Sequence, residues 1–223
     1  MSARGGSIAA ADPNGSADWG LDAFNLGPDA LVLVGFSLNV LDRVSGALPA
    51  GSVLVIEEPD IIEKRRVTEL AARFPAVGDI LPWPYQDLTA LHRLLAGEPR
   101  LGRARAVVPG VEYAVGPASV LASALGRPGA GLRAGAAYRD KYELRLLAAS
   151  AGIANPEFAL ASGPADVEAF MRRVARPCVL KPTARQASFG VRRLASPDDV
   201  AEAWAYATGA DEGDAAPDRG VPS

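Results

Sequence analysis

The sequence is short of the residues that mark several classes of protein. It has one cysteine and one histidine among 223 residues, so an internal disulfide framework is excluded and a metal site at His92 is not expected. Its longest apolar run, residues 30–36, is too short to cross a membrane. The net charge of −3 lacks the basic excess of a nucleic-acid binder. We therefore expect a cytoplasmic protein that binds neither nucleic acid nor membranes.

Lysine is also scarce, with three residues against 20 arginines, at positions Lys64, Lys141 and Lys181. Abundant alanine, glycine, proline and arginine indicate a GC-rich coding sequence that favours arginine. A lysine that persists in this background can mark a place that needs a compact point charge on a flexible stem. The alternative is that three lysines survive by chance.

Apolar runs alternate with helical patterns in the first half of the chain. Strands are predicted at residues 30–37, 52–58, 79–83 and 105–109, and helices at 38–48, 59–74, 88–96 and 115–126. This alternation predicts an α/β fold with a parallel sheet, a Rossmann-like unit over 28–133. No G-x-G-x-x-G follows the first strand, so the sequence does not predict a dinucleotide site.

A second unit is predicted over residues 134–208. It has helices at 140–152, 166–174 and 196–207, and strands at 177–182 and 191–195 that flank a loop at 183–190. Asp140 and Ser196 are the expected N-caps. Residues 1–27 are predicted to be a flexible tail, and 209–223 a disordered tail or a truncation point.

Two candidate phosphate-binding motifs lie in this second unit, and each contains a lysine. Val179 and Lys181 alternate onto one face of a strand, and the small-residue loop after it lets backbone N–H groups and the Ser188 hydroxyl reach phosphate oxygens. Lys141 begins a helix, where a cation opposes the helix dipole unless it meets an anion. Both also have plain alternatives, since a lysine commonly ends a strand before a polar hairpin or lies solvated on a helix.

Taken together, these motifs resemble the ATP-grasp family of carboxylate–amine ligases. The resemblance covers roughly residues 28–208 and rests on a D-K-x-x-x-R helix, G-I-x-x-P, P-x-V-L-K-P and a loop ending S-x-G-V. The matching residues are Asp140, Lys141, Arg145, Gly152, Ile153, Pro156, Pro177, Val179, Leu180, Lys181, Pro182, Ser188, Gly190 and Val191. Ala148 is smaller than the family's residue, and Leu144 and Leu147 are expected to fill the core instead.

The resemblance implies a pre-ATP-grasp domain of Rossmann-like fold, followed by the α+β first subdomain of an ATP-grasp fold. It implies that ATP is bound by Lys141, Val179, Lys181, Gln186, Ser188 and Gly190. It also implies that ATP phosphorylates a carboxylate substrate, such as an amino acid, and that an amine acceptor attacks the acyl phosphate. The loop resembles that of amino-acid ligases. Mg²⁺ is implied too, with its ligands expected beyond residue 208 and none in this chain.

Several questions stay open at the level of sequence. Glu112 follows a strand at the edge where parallel sheets bind ligands, so it is a candidate substrate contact, although a solvated loop acid is the alternative. Residues 138–193 carry ten basic and five acidic side chains, which favours an anionic ligand. Alternatives to a ligase are a non-catalytic nucleotide-binding or interaction module that retains a half-site, and an unrelated Rossmann-like domain with an extension. The catalytic residues and oligomeric state are not assigned.

Overall fold

A parallel sheet forms the first part of the chain. The computed structural model describes residues 27–28, 30–185 and 188–209. Four strands lie in the order β3-β2-β1-β4, with β1 at Leu31–Val34, β2 at Val53–Glu57, β3 at Val77–Pro82 and β4 at Ala106–Pro109. All three pairings are parallel. The prediction of a mixed α/β fold with a parallel sheet is confirmed.

Helices cover both faces of this sheet, as strands that are apolar on both sides require. They are α1 (Leu38–Val44), α2 (Pro59–Lys64), α3 (Val67–Ala71), α4 (Leu88–Gly97) and α5 (Val115–Ala124). One face packs on α4 and α5 through Leu91, Leu94 and Leu121, and the other packs on α1 to α3. Each fully buried side chain of this size contributes about 1.5–3 kcal/mol relative to exposure.

Two helix boundaries differ from the predicted ones. Helix α1 ends at Val44, four residues before the predicted end, where the Ser45 hydroxyl bonds back to the carbonyl of Leu41. The predicted helix over 59–74 is interrupted between α2 and α3, because Arg66 adopts a left-handed conformation with φ 49°. Pro59 begins α2 as expected.

The strand order reverses between β1 and β4, which places a topological switch point at their carboxyl ends. The chain leaves β4 through Gly110, where an added Cβ would overlap the carbonyl oxygen of Gly35 beyond β1. A 3-10 turn, Glu112–Ala114, follows directly. Crevices at such points are where open α/β sheets commonly bind ligands.

The second part of the chain is built around a small antiparallel hairpin. Strand β5 (Cys178–Leu180) pairs with β6 (Arg192–Leu194), so that Val179 lies opposite Arg193. The surrounding helices are α6 (Leu132–Arg139), α7 (Lys141–Ser150), α8 (Pro164–Val174) and α9 (Val200–Gly209). The sequence did not predict α6, which packs between α5 and α7. The core here consists of Val167, Met171, Leu194, Val200 and Ala203.

Helix α7 has the predicted cap but not the predicted packing. The Asp140 carboxylate accepts hydrogen bonds from the backbone N–H groups of Tyr142 and Glu143. The expectation that Leu144 and Leu147 fill the core was wrong, since they are 40% and 36% exposed. No residue of α7 is buried.

Two further expectations concern the ends of the chain and the membrane. Of the predicted tails, 1–26 and 210–223 lie outside the described residues. Within the described ranges, every helix is too short or too polar to span a bilayer.

Candidate functional site

The second unit contains a cleft of about 860 Å³. Its walls are the start of α7, the extended segment 156–161, helix α8, strand β5 and the end of α9. Clefts of a few hundred to a thousand Å³ are the usual size of small-molecule sites. The cleft therefore has room for a ligand as large as a nucleotide.

Two of the three lysines line this cleft. Lys141 is the first residue of α7, and Lys181 directly follows β5. Desolvation by burial lowers the pKa of Lys141; Glu112 opposes this, and the nearby Lys181 and Arg139 cations reinforce it. Lys141 and Lys181 therefore place two cations in the wall of one cleft, an arrangement that a bound anion would stabilise.

Strand β5 forms one wall of the cleft, and Cys178, Val179 and Leu180 all line it. Val179 is 59% exposed, whereas Cys178 and Leu180 also pack against the small core. Val179 and Lys181 therefore offer an apolar surface and a cation side by side.

The loop after β5 is docked on the junction between α6 and α7. The backbone N–H of Lys141 donates to the carbonyl of Thr183 at 2.9 Å, and Arg139 Nη2 donates to the carbonyl of Ala184 at 3.0 Å. Lys141 Nζ donates to the carbonyl of Arg185, and lies 3.4 Å from that of Thr183. Three consecutive carbonyls are thus held by two side chains and one amide.

The far end of this loop turns back towards the hairpin. Ser188 and Gly190 have φ values of 62° and 70°, and a Cβ at Gly190 would lie 2.6 Å from Pro182 Cγ. Glycine is therefore required at position 190 by both conformation and space. Neither Ser188 nor Gly190 lines the cleft, and the predicted site residue Gln186 lies outside the described residues.

Glu112 lies away from the cleft wall and is paired. Its Oε1 accepts a hydrogen bond from Arg139 Nη1 at 2.8 Å, and the Arg139 guanidinium stacks 4.8 Å from the ring centroid of Tyr113. Sequence reasoning missed Arg139, because nothing except its position before Asp140 distinguishes it from the other arginines.

Charge in the cleft wall is predominantly positive. The wall includes the cations Lys141, Arg145, Arg176 and Lys181 but only the acids Glu157 and Asp166. Arg176 is paired with Glu157, and the Asp166 carboxylate caps the N–H of Ser162. The described residues bring together no group of three or more metal-ligating side chains. The cleft suits an anion better than it suits a bare metal ion.

No protein-family model matches the chain. Two proteins with similar sequences are both D-alanine–D-alanine ligases. It is 31% identical over 81 residues to a D-alanine–D-alanine ligase of Methylococcus capsulatus, across 36% of this chain and 26% of that enzyme. A D-alanine–D-alanine ligase of Nitrosospira multiformis is 33% identical over 76 residues, across 34% of this chain and 25% of the enzyme. The alignments thus span about a quarter of the length of these relatives.

Solved structures extend the likeness over most of the described chain. An L-amino acid ligase from Bacillus licheniformis superposes with a TM-score of 0.58 at 18% identity, covering 78% of this chain and 40% of that one. An N5-carboxyaminoimidazole ribonucleotide synthetase in complex with ADP gives a TM-score of 0.60 at 15% identity, covering 82% and 45%. At this identity the likeness shows the fold, which is that of the N-terminal half of ATP-grasp enzymes.

The sequence matches add a relationship to that fold. Over part of its length, the chain is related to the ATP-grasp carboxylate–amine ligases.

Proposed function

We propose that this chain binds ATP in the cleft of the second unit, as part of an ATP-dependent carboxylate–amine ligase. The observation that carries the proposal is that Lys141 and Lys181 both line one cleft of ligand size. In this proposal residues 28–133 form the domain that precedes the ATP-grasp subdomain, and residues 134–208 form that subdomain.

Two features of the cleft and one of the neighbouring loop fit a nucleotide. Two ammonium groups supply point charges for phosphate oxygens, and a lysine serves this purpose without a fixed bonding plane. Val179 supplies exposed apolar surface on the same face as Lys181. Ser188 and Gly190 belong, in this proposal, to a loop that approaches the phosphates through backbone N–H groups.

The proposed reaction is the one that the relatives' ligase names suggest. A carboxylate oxygen takes the γ-phosphoryl group of ATP and ADP leaves; an amine then attacks the acyl carbon and phosphate leaves. We propose an amino acid as the carboxylate substrate and leave the amine general. Mg²⁺ enters only as the ion that accompanies the ATP phosphates, since the described residues present no cluster of ligands for it.

The test is calorimetric titration of the 223-residue chain with ATP and MgCl₂. We expect a dissociation constant on the order of 0.1–1 mM, because the cleft is open to water. Lys141→Ala and Lys181→Ala should each weaken binding roughly tenfold or more, the equivalent of a shielded charge-assisted contact. Lys181→Arg should not restore wild-type ATP affinity, because a planar guanidinium does not replace the compact charge of an ammonium group.

Lys64→Ala provides the matched control. Lys64 is the third lysine, and it forms an exposed ion pair with Asp60 in α2. Its replacement should leave ATP affinity unchanged. Wild-type affinity in both Lys141→Ala and Lys181→Ala would reject the assignment of the site, and absence of any ATP binding by the wild type would reject the proposed function.

A further inference from the structure

The guanidinium of Arg139 joins the two units of the chain. Its Nη1 donates to Glu112 Oε1 at 2.8 Å, at the carboxyl edge of the parallel sheet. Its Nη2 donates to the carbonyl of Ala184 at 3.0 Å, in the loop that follows β5. One planar group thus spans from the turn after β4 to the start of the loop.

This connection is more enclosed than an ordinary surface ion pair. The Arg139 side chain is only 20% exposed, against 46% for Glu112, and the guanidinium lies over the ring of Tyr113. Arginine suits the position because its fork offers several N–H donors in one plane, whereas a lysine ammonium cannot reach two acceptors in that geometry.

The neighbouring contacts of Lys141 link the Arg139–Ala184 hydrogen bond to the cleft. Lys141, two residues along the chain, donates from its backbone and its ammonium to the flanking carbonyls of Thr183 and Arg185. Arg139 therefore fixes the middle carbonyl of a run whose two ends are held by the cleft lysine. Because these three carbonyls are consecutive, we expect a change in the Ala184 contact to alter the position of Lys141 relative to the loop.

We propose that Arg139 is a positioning residue that holds the loop after β5, and with it Lys141, in the geometry that receives ATP phosphates. Glu112 acts as the anchor for Arg139 and not as a substrate contact. Arg139 does not line the cleft, so we assign it no direct contact with the nucleotide. This inference rests on the proposed nucleotide function, but the tether itself can be measured without a nucleotide.

Hydrogen exchange of the full chain without ATP tests the tether. The Lys141 amide reports on it directly, because it donates to the Thr183 carbonyl. We expect this amide to exchange roughly tenfold faster in Arg139→Gln, the loss of one charge-assisted contact, and by an intermediate factor in Arg139→Lys. Glu112→Gln should act in the same direction, and adding it to Arg139→Gln should cause no further change.

The matched control is Arg133→Gln, since Arg133 is an exposed arginine on the same helix, α6. In Arg133→Gln, the Lys141 amide should exchange at the wild-type rate. Unchanged exchange in Arg139→Gln, or additive effects of the Glu112 and Arg139 changes, would overturn the tether. The Arg139→Lys and Glu112→Gln variants decide the question even where Arg139→Gln fails to fold.

ATP titration then separates positioning from simple stabilisation. We expect Arg139→Gln to weaken ATP binding roughly tenfold while its urea unfolding midpoint stays close to that of Arg133→Gln. Faster exchange with wild-type ATP affinity would overturn the positioning role. A wild type that binds no ATP would refute the proposed function and with it the link to phosphates, while the exchange measurement would still decide whether Glu112 acts through Arg139.

Discussion

Replacing Lys141 by methionine should destabilise the chain in the absence of any nucleotide, whereas replacing Lys181 should not. Both lysines line the cleft, but their surroundings differ. Lys141 Nζ donates to the carbonyls of Thr183 and Arg185. Lys181 is exposed, so its replacement removes little that the folded chain needs before a ligand arrives.

The expected loss of stability in Lys141→Met follows from the geometry of the hydrogen bonds that Lys141 Nζ donates. A hydrogen bond from a charged group contributes about 1.5–3 kcal/mol, but the one to Thr183 is long at 3.4 Å. Burial also disfavours the ammonium, as the lowered pKa of Lys141 indicates. We therefore expect a net loss of about 1 kcal/mol for Lys141→Met and at most about 0.5 kcal/mol for Lys181→Met.

Urea denaturation from pH 7 to pH 10 measures this difference. Because folding lowers the pKa of Lys141, the unfolded chain binds more protons between the lowered value and about 10.4. The free energy of unfolding attributable to this group should therefore rise with pH across that window. Lys141→Met should lack this rise. Equal stability of the two variants at pH 7, together with the same pH profile as the wild type, would refute the reasoning.

Three further changes test the scaffold. Glu57→Gln should cost about 1–3 kcal/mol in urea denaturation, because the buried carboxylate accepts from the N–H groups of Phe36 and Glu58. Burial raises the pKa of Glu57, so the part of its contribution that depends on protonation is full below about 4.3 and is lost as pH rises through the folded value, a dependence that Gln removes. Gly110→Ala should cost at least about 1–3 kcal/mol in thermal unfolding through overlap with the Gly35 carbonyl, against near-neutral Gly102→Ala, which has open space. Asp140→Ala should remove the α7 cap at a cost of about 1 kcal/mol, seen as reduced helical circular dichroism.

The elements that the sequence predicted are those decided by local patterns. The two central strands, β1 and β2, are short apolar runs, and their burial on both faces follows from that composition. The cap at Asp140 follows from the chemistry of a single side chain. By contrast, α6 was missed because its sequence, LRAGAAYR, has no clear apolar period, and its packing against α5 is a tertiary effect.

The interruption of the helix at Arg66 could not be predicted either, since the apolar period continues through it.

The candidate site was predictable only in its lysines. Lys141 and Lys181 stand out because lysine is rare in this chain, and their motifs place them at a helix start and a strand end. Arg139 is one of 20 arginines, and its role depends on two acceptors that lie 27 and 45 residues away. No local pattern encodes distances of that kind.

The two cations on either side of Asp140 make different contacts, which suit the different chemistries of arginine and lysine. Arg139 donates to two acceptors that belong to the protein and lies over the ring of Tyr113, and its planar guanidinium loses little freedom in such contacts. Lys141 donates to carbonyls from a flexible stem, so its ammonium can exchange a carbonyl for a phosphate oxygen without reorienting a plane. On our proposal, arginine is therefore used for the permanent contact and lysine for the contact that changes when the ligand binds.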